Sequence, residues 1–402
     1  MIKVLFAVLS GLTAFFLVLP FLNVLFSRFC REKLTEPVKT PFDYGIIITA
    51  YRNAAIAQPL IQSLLLQRYK NYHIYFVADA CEVSDWDLED QRLTVLNPQP
   101  ALNLKAKSII HGMEHYIRPH DYTVVFDADN LAHPDFLEII NNYANQGFLA
   151  IQGQRTAKNL DTTMACADAT GEFYKNYIDR YAPYLIGSSA VISGSGMAVR
   201  TDVYDAYLKS PEIEQGKHLW KKMLQEDKIL QNNLLDQDIR IAYAWDAVVY
   251  DEKVTTEDAV ETQRSRWLFS YFQNIPNSSR ILMKGLTRLS WNQWLFGLVT
   301  IAPPMFLQLF AGVALAALGL LIWPAWTIVL AVSLLLFAGT VLWTLRLSDA
   351  PPAIWSTLWS MPTFVWRQIK GLLRMGNPNK NFKHTEHTRR VSIEEILHQK
   401  NS

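Results

Sequence analysis

The chain has little charge, few cysteines and no phosphate-binding loop. Only 19% of its 402 residues are Asp, Glu, Lys or Arg, and the formal net charge is +1. Such a balance lacks the basic footprint that nucleic-acid binding needs, so nucleic acid is not expected as a partner. The three cysteines, Cys30, Cys81 and Cys166, lie far apart. They form neither a disulfide framework nor a metal-ligand spacing, and an odd count fits a reducing cytoplasm. Neither G-x-G-x-x-G nor a Walker loop is present. That disfavours a dinucleotide enzyme and a phosphate-loop NTPase. Internal repeats and low-complexity tracts are absent as well.

The chain is, by contrast, rich in apolar residues. Half of it is hydrophobic and 12% is aromatic, rich for a soluble enzyme and lean for a polytopic transporter. Residues 4–26 carry no charge. The run is long enough to span about 30 Å of hydrocarbon. A cleaved signal is the alternative, but no small-residue cleavage site comes after it. Instead come Arg28, Arg31 and Lys33, against a single Lys3 ahead of the run. The positive-inside rule then places the residues after 28 in the cytoplasm. Residues 294–323 are a second charge-free stretch, and after a break at Pro324 residues 325–346 form a third apolar run, charge-free up to Arg346. Pro303 and Pro304 either kink the former or mark where an interfacial stretch (276–293) becomes the true span. Residues 353–373 are Trp-rich, with Pro362 in the middle and Arg367 and Lys370 near the end. They read as an amphipathic helix in the interface rather than a further span. A basic cytosolic tail, 374–402, closes the chain. The expected location is the cell membrane, multi-pass, with residues 40–275 as a cytosolic catalytic domain.

Within 40–275, short β-branched runs alternate with helical patterns. GIIITA (45–50), HIYFVAD (73–79) and YTVVFDAD (122–129) read as strands; 57–69 and 105–117 read as helices. This order argues an α/β domain with a parallel, Rossmann-like sheet. Ligands in such sheets bind at the carboxyl ends of strands, where Thr49 to Asn53, Asp79, Asp127 and Asp129 fall.

Three further clusters carry chemistry. Asp127 and Asp129, one residue apart at a strand end, suit Mg2+ or Mn2+ and the diphosphate charge of a nucleotide sugar. Alone, D-x-D reads equally as the start of a turn. Glu226 and Asp227 precede a helical run, which would also suit the helix dipole; as a site, a carboxylate there would take a proton from an acceptor hydroxyl. Gln263, Arg266 and Trp267 form Q-x-x-R-W just before membrane. Either they anchor the helix at the interface or the guanidinium meets the diphosphate and the indole a sugar ring. His111, Glu114 and His115 have a zinc-like spacing, but no other ligand lies near in sequence, and a solvated helix face explains them better.

The joint order is distinctive. Residues 43–267 resemble the catalytic domain of family-2 inverting glycosyltransferases. The likeness is closest to the membrane branch of cellulose, chitin, hyaluronan and poly-N-acetylglucosamine synthases and ceramide glucosyltransferase. The resemblance implies a GT-A-type fold with flanking transmembrane helices. IITAYRN resembles the opening strand and nucleotide loop, giving Thr49 and Tyr51 to the donor. FVADAC matches the uracil-side aspartate, Asp79; NLKAK supplies Lys105; FDADN is the D-x-D, with Asp127 on the nucleotide sugar and Asp129 on the metal. GSGMAVR resembles the glycine-rich acceptor loop with Gly196, and LQEDK the acidic pair, with Asp227 as base and Glu226 toward the acceptor. DAVVYDEKV resembles the strand that comes next. QRSRW places Arg266 on the diphosphate and Gln263 and Trp267 on the acceptor. KNFKHTEHTR (380–389) is similar to a basic segment near the nucleotide. The chain departs at Asn53, usually acidic, and at Gln225, often threonine. The implied reaction moves a sugar from a UDP-sugar to a growing polysaccharide at the lipid bilayer. Transfer to a lipid acceptor is the alternative, and a catalytically inert nucleotide-sugar binder is a weaker one. With two C-terminal spans, a secretion channel would need an oligomer or accessory subunits.

Overall fold

The computed structural model describes residues 1–32, 40–84, 86–219, 225–253, 255, 257–361, 365 and 391–401. The helix α1 (Ile2–Ser27) leads into the first strand, β1 (Tyr44–Tyr51). Next come α2 (Gln58–Leu65), β2 (Tyr72–Asp79), β3 (Leu93–Leu96), α3 (Lys105–Glu114), β4 (Tyr122–Asp127) and β5 (Leu131–Ala132). The second half holds α4 (Phe136–Asn145), β6 (Ala150–Ala157), α5 (Thr163–Lys175), α6 (Ala182–Leu185) and β7 (Met197–Arg200). After these come α7 (Thr201–Leu208), α8 (Pro211–Leu219), α9 (Glu226–Asp236) and β8 (Ile241–Asp251).

The strands form one sheet in the order β3-β2-β1-β4-β7-β6-β8-β5. The first four are parallel, as expected. The rest is mixed: β7 runs antiparallel between β4 and β6, and β5 antiparallel on β8. The α/β, Rossmann-like sheet expected from the sequence is thus present in β3, β2, β1 and β4, and it continues into a mixed half. β1, β2 and β4 consist of near-continuous buried residues because helices cover both faces. Each fully buried aliphatic or aromatic side chain contributes about 1.5–3 kcal/mol to this core. Register aligns Tyr51 with Asp79 and Thr49 with Asp127. Three strand ends therefore finish at one edge, which is where the site forms.

A 32-residue helix, α10 (Glu257–Arg288), comes after β8 and leads to α11 (Trp291–Ile301), α12 (Met305–Ile322) and α13 (Pro324–Leu347). The apolar run 294–323 is thus two helices, not one. Pro303 and Pro304 supply no backbone N–H, so the ladder ends at Ile301 and restarts at Met305. The expected interfacial stretch, 276–293, is divided between α10 and α11. Among the described residues three helices are long and apolar enough to cross a membrane: Ile2–Ser27, Met305–Ile322 and Pro324–Leu347. They pack closely: a Cβ on Gly312 would lie 2.9 Å from a Leu334 methyl and 3.0 Å from a Leu17 methyl.

The layer joining these helices to the sheet is α5 and the π-helical turn after it, Asn176–Tyr181. Tyr174, Tyr177, Ile178 and Ala182 pack with Leu17, Val24 and Phe337. Ala169 and Phe173 pack with Leu345 and with Ile354 of α14 (Pro352–Thr357). The last helix, α15 (Ile393–Asn401), seats Ile393 and Ile396 on Leu131 and Tyr250 at the sheet edge. Of the expected interfacial helix 353–373, residues 362–364 and 366–373 lie outside the described residues. So does the basic tail up to residue 390, with KNFKHTEHTR.

Candidate active site

A cleft of 1450 Å³ opens over the carboxyl ends of β1, β2 and β4. One wall comes from the sheet. Thr49 and Tyr51 end β1, and the Tyr51 hydroxyl donates to Asn103 Oδ1 (2.9 Å). Asp79 ends β2 and is buried. Its two oxygens accept the backbone N–H groups of Leu102 (2.7 Å) and Asn103 (2.7 Å). It therefore shapes the loop that leads to α3 as well as lining the cleft.

Lys105 opens α3 and reaches the centre. Its ammonium donates to Asp127 Oδ1 (2.6 Å) and the Gly194 carbonyl (2.9 Å), and stands 3.6 Å from Glu226 Oε1. Burial disfavours that charge, but Asp127 and Glu226 outweigh it and raise the lysine pKa. One side chain thus ties the D-x-D to the later acidic pair, although the two are remote from each other along the chain. The Asp127 N–H is held by Ser195 Oγ (3.0 Å), and Ser195 in turn donates to Asn130.

The opposite wall is helical. Glu226 and Asp227 begin α9, behind Gln225, whose φ of 60° is left-handed for a residue with a side chain. Strain of this kind persists where surrounding contacts over-determine it. Gln225 Oε1 accepts from Ser270 (2.7 Å) and its amide donates to Gln273 (2.6 Å). The residue that departs from the family's usual threonine therefore fastens α9 to α10. Burial raises the Glu226 pKa; Lys105 opposes that rise, and Asp227 adds to it. Gly194 faces Asp227: a Cβ there would stand 3.5 Å from the aspartate Cβ. Gln263, Arg266 and Trp267 line the cleft from α10. Burial lowers the Arg266 pKa from its ordinary value.

The cleft thus gathers Thr49, Tyr51, Asp79, Lys105, Asp127, Asp129, Glu226, Asp227, Gln263, Arg266 and Trp267. Gly196 is not among its lining residues. It sits behind the wall, at φ +61°, where a Cβ would lie 2.6 Å from Val249 Cγ2. Only glycine lets β7 start so close to β8.

Sequence reasoning missed a floor of charge: Arg155, Asp168, Asp251 and Glu252 also line the cleft. Behind it, Glu172 binds Arg155 (2.8 Å) and Arg180 (2.8 Å), with Lys253 at 3.6 Å. Burial alone would raise the Glu172 pKa, yet the three cations hold it well below 4.5. Asp251 pairs with Lys253 (2.9 Å) and accepts from Asn130 (3.1 Å). No local pattern announces these pairs; only the charged residues inside otherwise strand-like AIQGQRTA and VVYDEK hinted at them.

Among the described residues no three His, Cys, Asp or Glu side chains converge on one point. The donor set nevertheless fits a magnesium-like ion. Asp127 and Asp129 offer hard carboxylate oxygens at an open cleft, and such ions keep several water or phosphate ligands. His111 of α3 and His115 just past its end only pack ring against ring, tilted, with centroids 4.1 Å apart.

Residues 41–270 match the family model described as Glycosyltransferase like family 2. None of the curated proteins matches the sequence. Among solved structures, mannosyltransferase PcManGT from Pyrobaculum calidifontis, in complex with GDP-Man and Mn2+, is 13% identical with a TM-score of 0.47. The match covers 91% of this chain and 99% of that one. S. aureus TarS is 13% identical with a TM-score of 0.37, covering 60% of this chain and 40% of its own. TarS 1-349 in complex with UDP is 13% identical with a TM-score of 0.40, covering 60% and 65%.

Proposed function

Since the chain belongs to the glycosyltransferase-like family 2, we propose that it is an inverting hexosyltransferase drawing on a UDP-sugar at a membrane surface. The observation that carries this reading is the Lys105 bridge, which sets the D-x-D and the Glu226–Asp227 pair against each other across one cleft. A donor lies along the strand ends, with its base near Asp79 and Tyr51 and its sugar toward Asp127. The acceptor enters past Gln263 and Trp267.

The reaction is a single displacement. The acceptor hydroxyl oxygen attacks the anomeric carbon while the bond to the diphosphate oxygen breaks on the opposite face. Configuration therefore inverts. Asp227 takes the hydroxyl proton, being the acid at the acceptor face that Lys105 does not contact. Arg266 meets the departing diphosphate with a planar fork. Asp129, with Asp127 beside it, would hold a divalent cation, which offsets leaving-group charge when bound. Burial raises the Glu226 pKa, and the Lys105 ammonium beside it opposes that rise.

A growing polysaccharide is the acceptor expected from the sequence. A lipid acceptor is the second reading, and a specific observation favours it. Among the described residues the three membrane-length helices pack directly on one another, a Cβ on Gly312 lying 2.9 Å from Leu334 and 3.0 Å from Leu17, and this close packing supports a lipid acceptor over a polymer threaded between them. By charge, the catalytic domain stands on the cytoplasmic side, after Arg28 and Arg31.

The test is a donor screen on the full chain in nanodiscs: UDP-glucose, UDP-N-acetylglucosamine and GDP-mannose, with product sizing and anomeric assignment by NMR. The reading expects turnover of a UDP-sugar, EDTA sensitivity and an inverted product. Retained configuration, or no turnover with any donor, overturns it.

A further inference from the structure

Trp267 is held by more than its own helix. Its indole is about one-third exposed at 36%, so it is a surface ring with fixed neighbours. The Lys175 ammonium sits over it at 5.3 Å from the ring centroid, and the Arg264 guanidinium at 4.6 Å. Arg264 in turn forms an ion pair with Asp168. Lys175 and Asp168 both belong to α5, the helix whose other faces pack on α13 through Phe173 and Tyr174. A chain of contacts therefore runs from a membrane-length helix, through α5, to the indole at the cleft mouth.

We propose that Lys175 is a positioning residue: with the Asp168–Arg264 pair it fixes the Trp267 indole relative to the membrane helices and so sets the register of the acceptor. The proposal rests on the reading of Trp267 as an acceptor contact. A cation over an indole is attracted by the ring's electron-rich face, and the attraction grows as water is excluded. Two cations near one ring leave it fewer orientations than packing alone would.

The contact is also titratable. Burial lowers the Lys175 pKa to about 8; Asp179 opposes that shift and Arg264 adds to it. Glu172, on the same helix, and Arg180, on the π-helical turn, also act on it, the first raising and the second lowering its pKa. Below about 8 the Lys175 ammonium is charged and adds its hold on the indole; as pH rises through that value the charge and Lys175's share of the hold are lost, leaving Arg264 over the ring. Arginine in its place would stay charged throughout.

The first measurement does not need activity. The full chain is labelled with 5-fluorotryptophan in nanodiscs, and the Trp267 fluorine line is assigned by its absence in Trp267→Phe. The proposal expects this line to titrate near pH 8 in the native protein. It should not titrate in Lys175→Met or Lys175→Arg, and in the latter it should keep its low-pH position. A line that titrates unchanged in Lys175→Met, or never titrates in the native protein, overturns the proposal. The second measurement separates it from a purely structural role. Octyl glucoside serves as the probe acceptor, and UDP-glucose hydrolysis without acceptor as the control. Lys175→Met should raise the acceptor KM about tenfold. Hydrolysis should stay unchanged, and Lys175→Arg should restore the KM. Equal losses in both assays, or no rescue by arginine, count against positioning. A native protein that turns over no UDP-sugar sinks the functional reading alone, because the fluorine result stands without it.

Discussion

The two walls of the cleft are built differently. On the wall proposed for the donor, Thr49, Tyr51, Asp79 and Asp127 sit at the ends of adjacent parallel strands, placed by sheet register and backbone hydrogen bonds. On the wall proposed for the acceptor, Glu226, Asp227, Gln263, Arg266 and Trp267 ride on α9 and α10. They are placed by side chains that reach each other across long stretches of sequence: Gln225 to Ser270 and Gln273, and Arg264 to Asp168. A wall fixed by backbone tolerates side-chain change without moving. A wall fixed by polar pairs moves when one partner is lost, because the other is left buried and unmatched.

The sharpest way to break the comparison is Asp227→Asn. Shape is nearly kept and only basicity goes, so turnover should fall by about a hundred- to ten-thousandfold. Donor affinity, measured by UDP titration, should hold. If both fall together, the acidic pair belongs to the donor wall after all. Asp129→Asn comes next. It should cost on the order of a hundredfold in transfer and weaken the dependence on added Mg2+ or Mn2+, while the unfolding midpoint stays near native. A large loss of stability there would mean that the donor wall too depends on side-chain pairing.

The third variant acts beneath both walls. Glu172→Gln leaves Arg155, Arg180 and Lys253 without their shared carboxylate, and should cost about 3–5 kcal/mol in unfolding. Linkage gives the sign of its pH dependence. The folded pKa lies below 4.5, so the stabilisation is fully present above that value and fades as pH falls toward the depressed one. The variant should lose this acid limb. An unchanged limb in Glu172→Gln assigns acid unfolding to other carboxylates.

The same contrast explains what the sequence disclosed. β1, β2 and β4 were readable because buried parallel strands leave β-branched runs, and a ligand edge follows from their polarity. β6 was not. Its Gln152 is wholly buried yet polar, spending its amide on the carbonyls of Gly153, Ser195 and Gly196, and its Arg155 on Glu172. Burial of a polar residue is legible only once its partner is known, and these partners are remote in sequence. β7 has four residues, too few to show a period. Motif order placed Asp127, Asp227 and Arg266 in one cleft but gave no sign of Lys175 or of the Gln225 latch. The break at Pro303 and Pro304 was visible, but whether proline kinks or ends a helix depends on what can take the freed carbonyls.

The smallest and most discriminating effect is expected at Arg266. Arginine and tryptophan before a membrane segment are ordinary interfacial anchors, and on that account Arg266→Lys would leave transfer intact. The site argues otherwise. Arg266 lines the cleft, and burial lowers its pKa, so its head is not simply in headgroup water. A lysine would keep the charge but lose the bidentate fork that matches a diphosphate. Transfer should therefore drop about tenfold, with most of the loss in turnover, because the fork serves charge that develops on the leaving group. Trp267→Tyr keeps an amphipathic interfacial ring and should be a milder companion, raising acceptor KM and sparing donor affinity. The assay measures donor affinity, transfer rate and membrane retention on the same preparations. Native transfer with altered retention in both variants would return these residues to the role of anchors. It would also make the acceptor wall shorter than the cleft suggests, ending at Asp227.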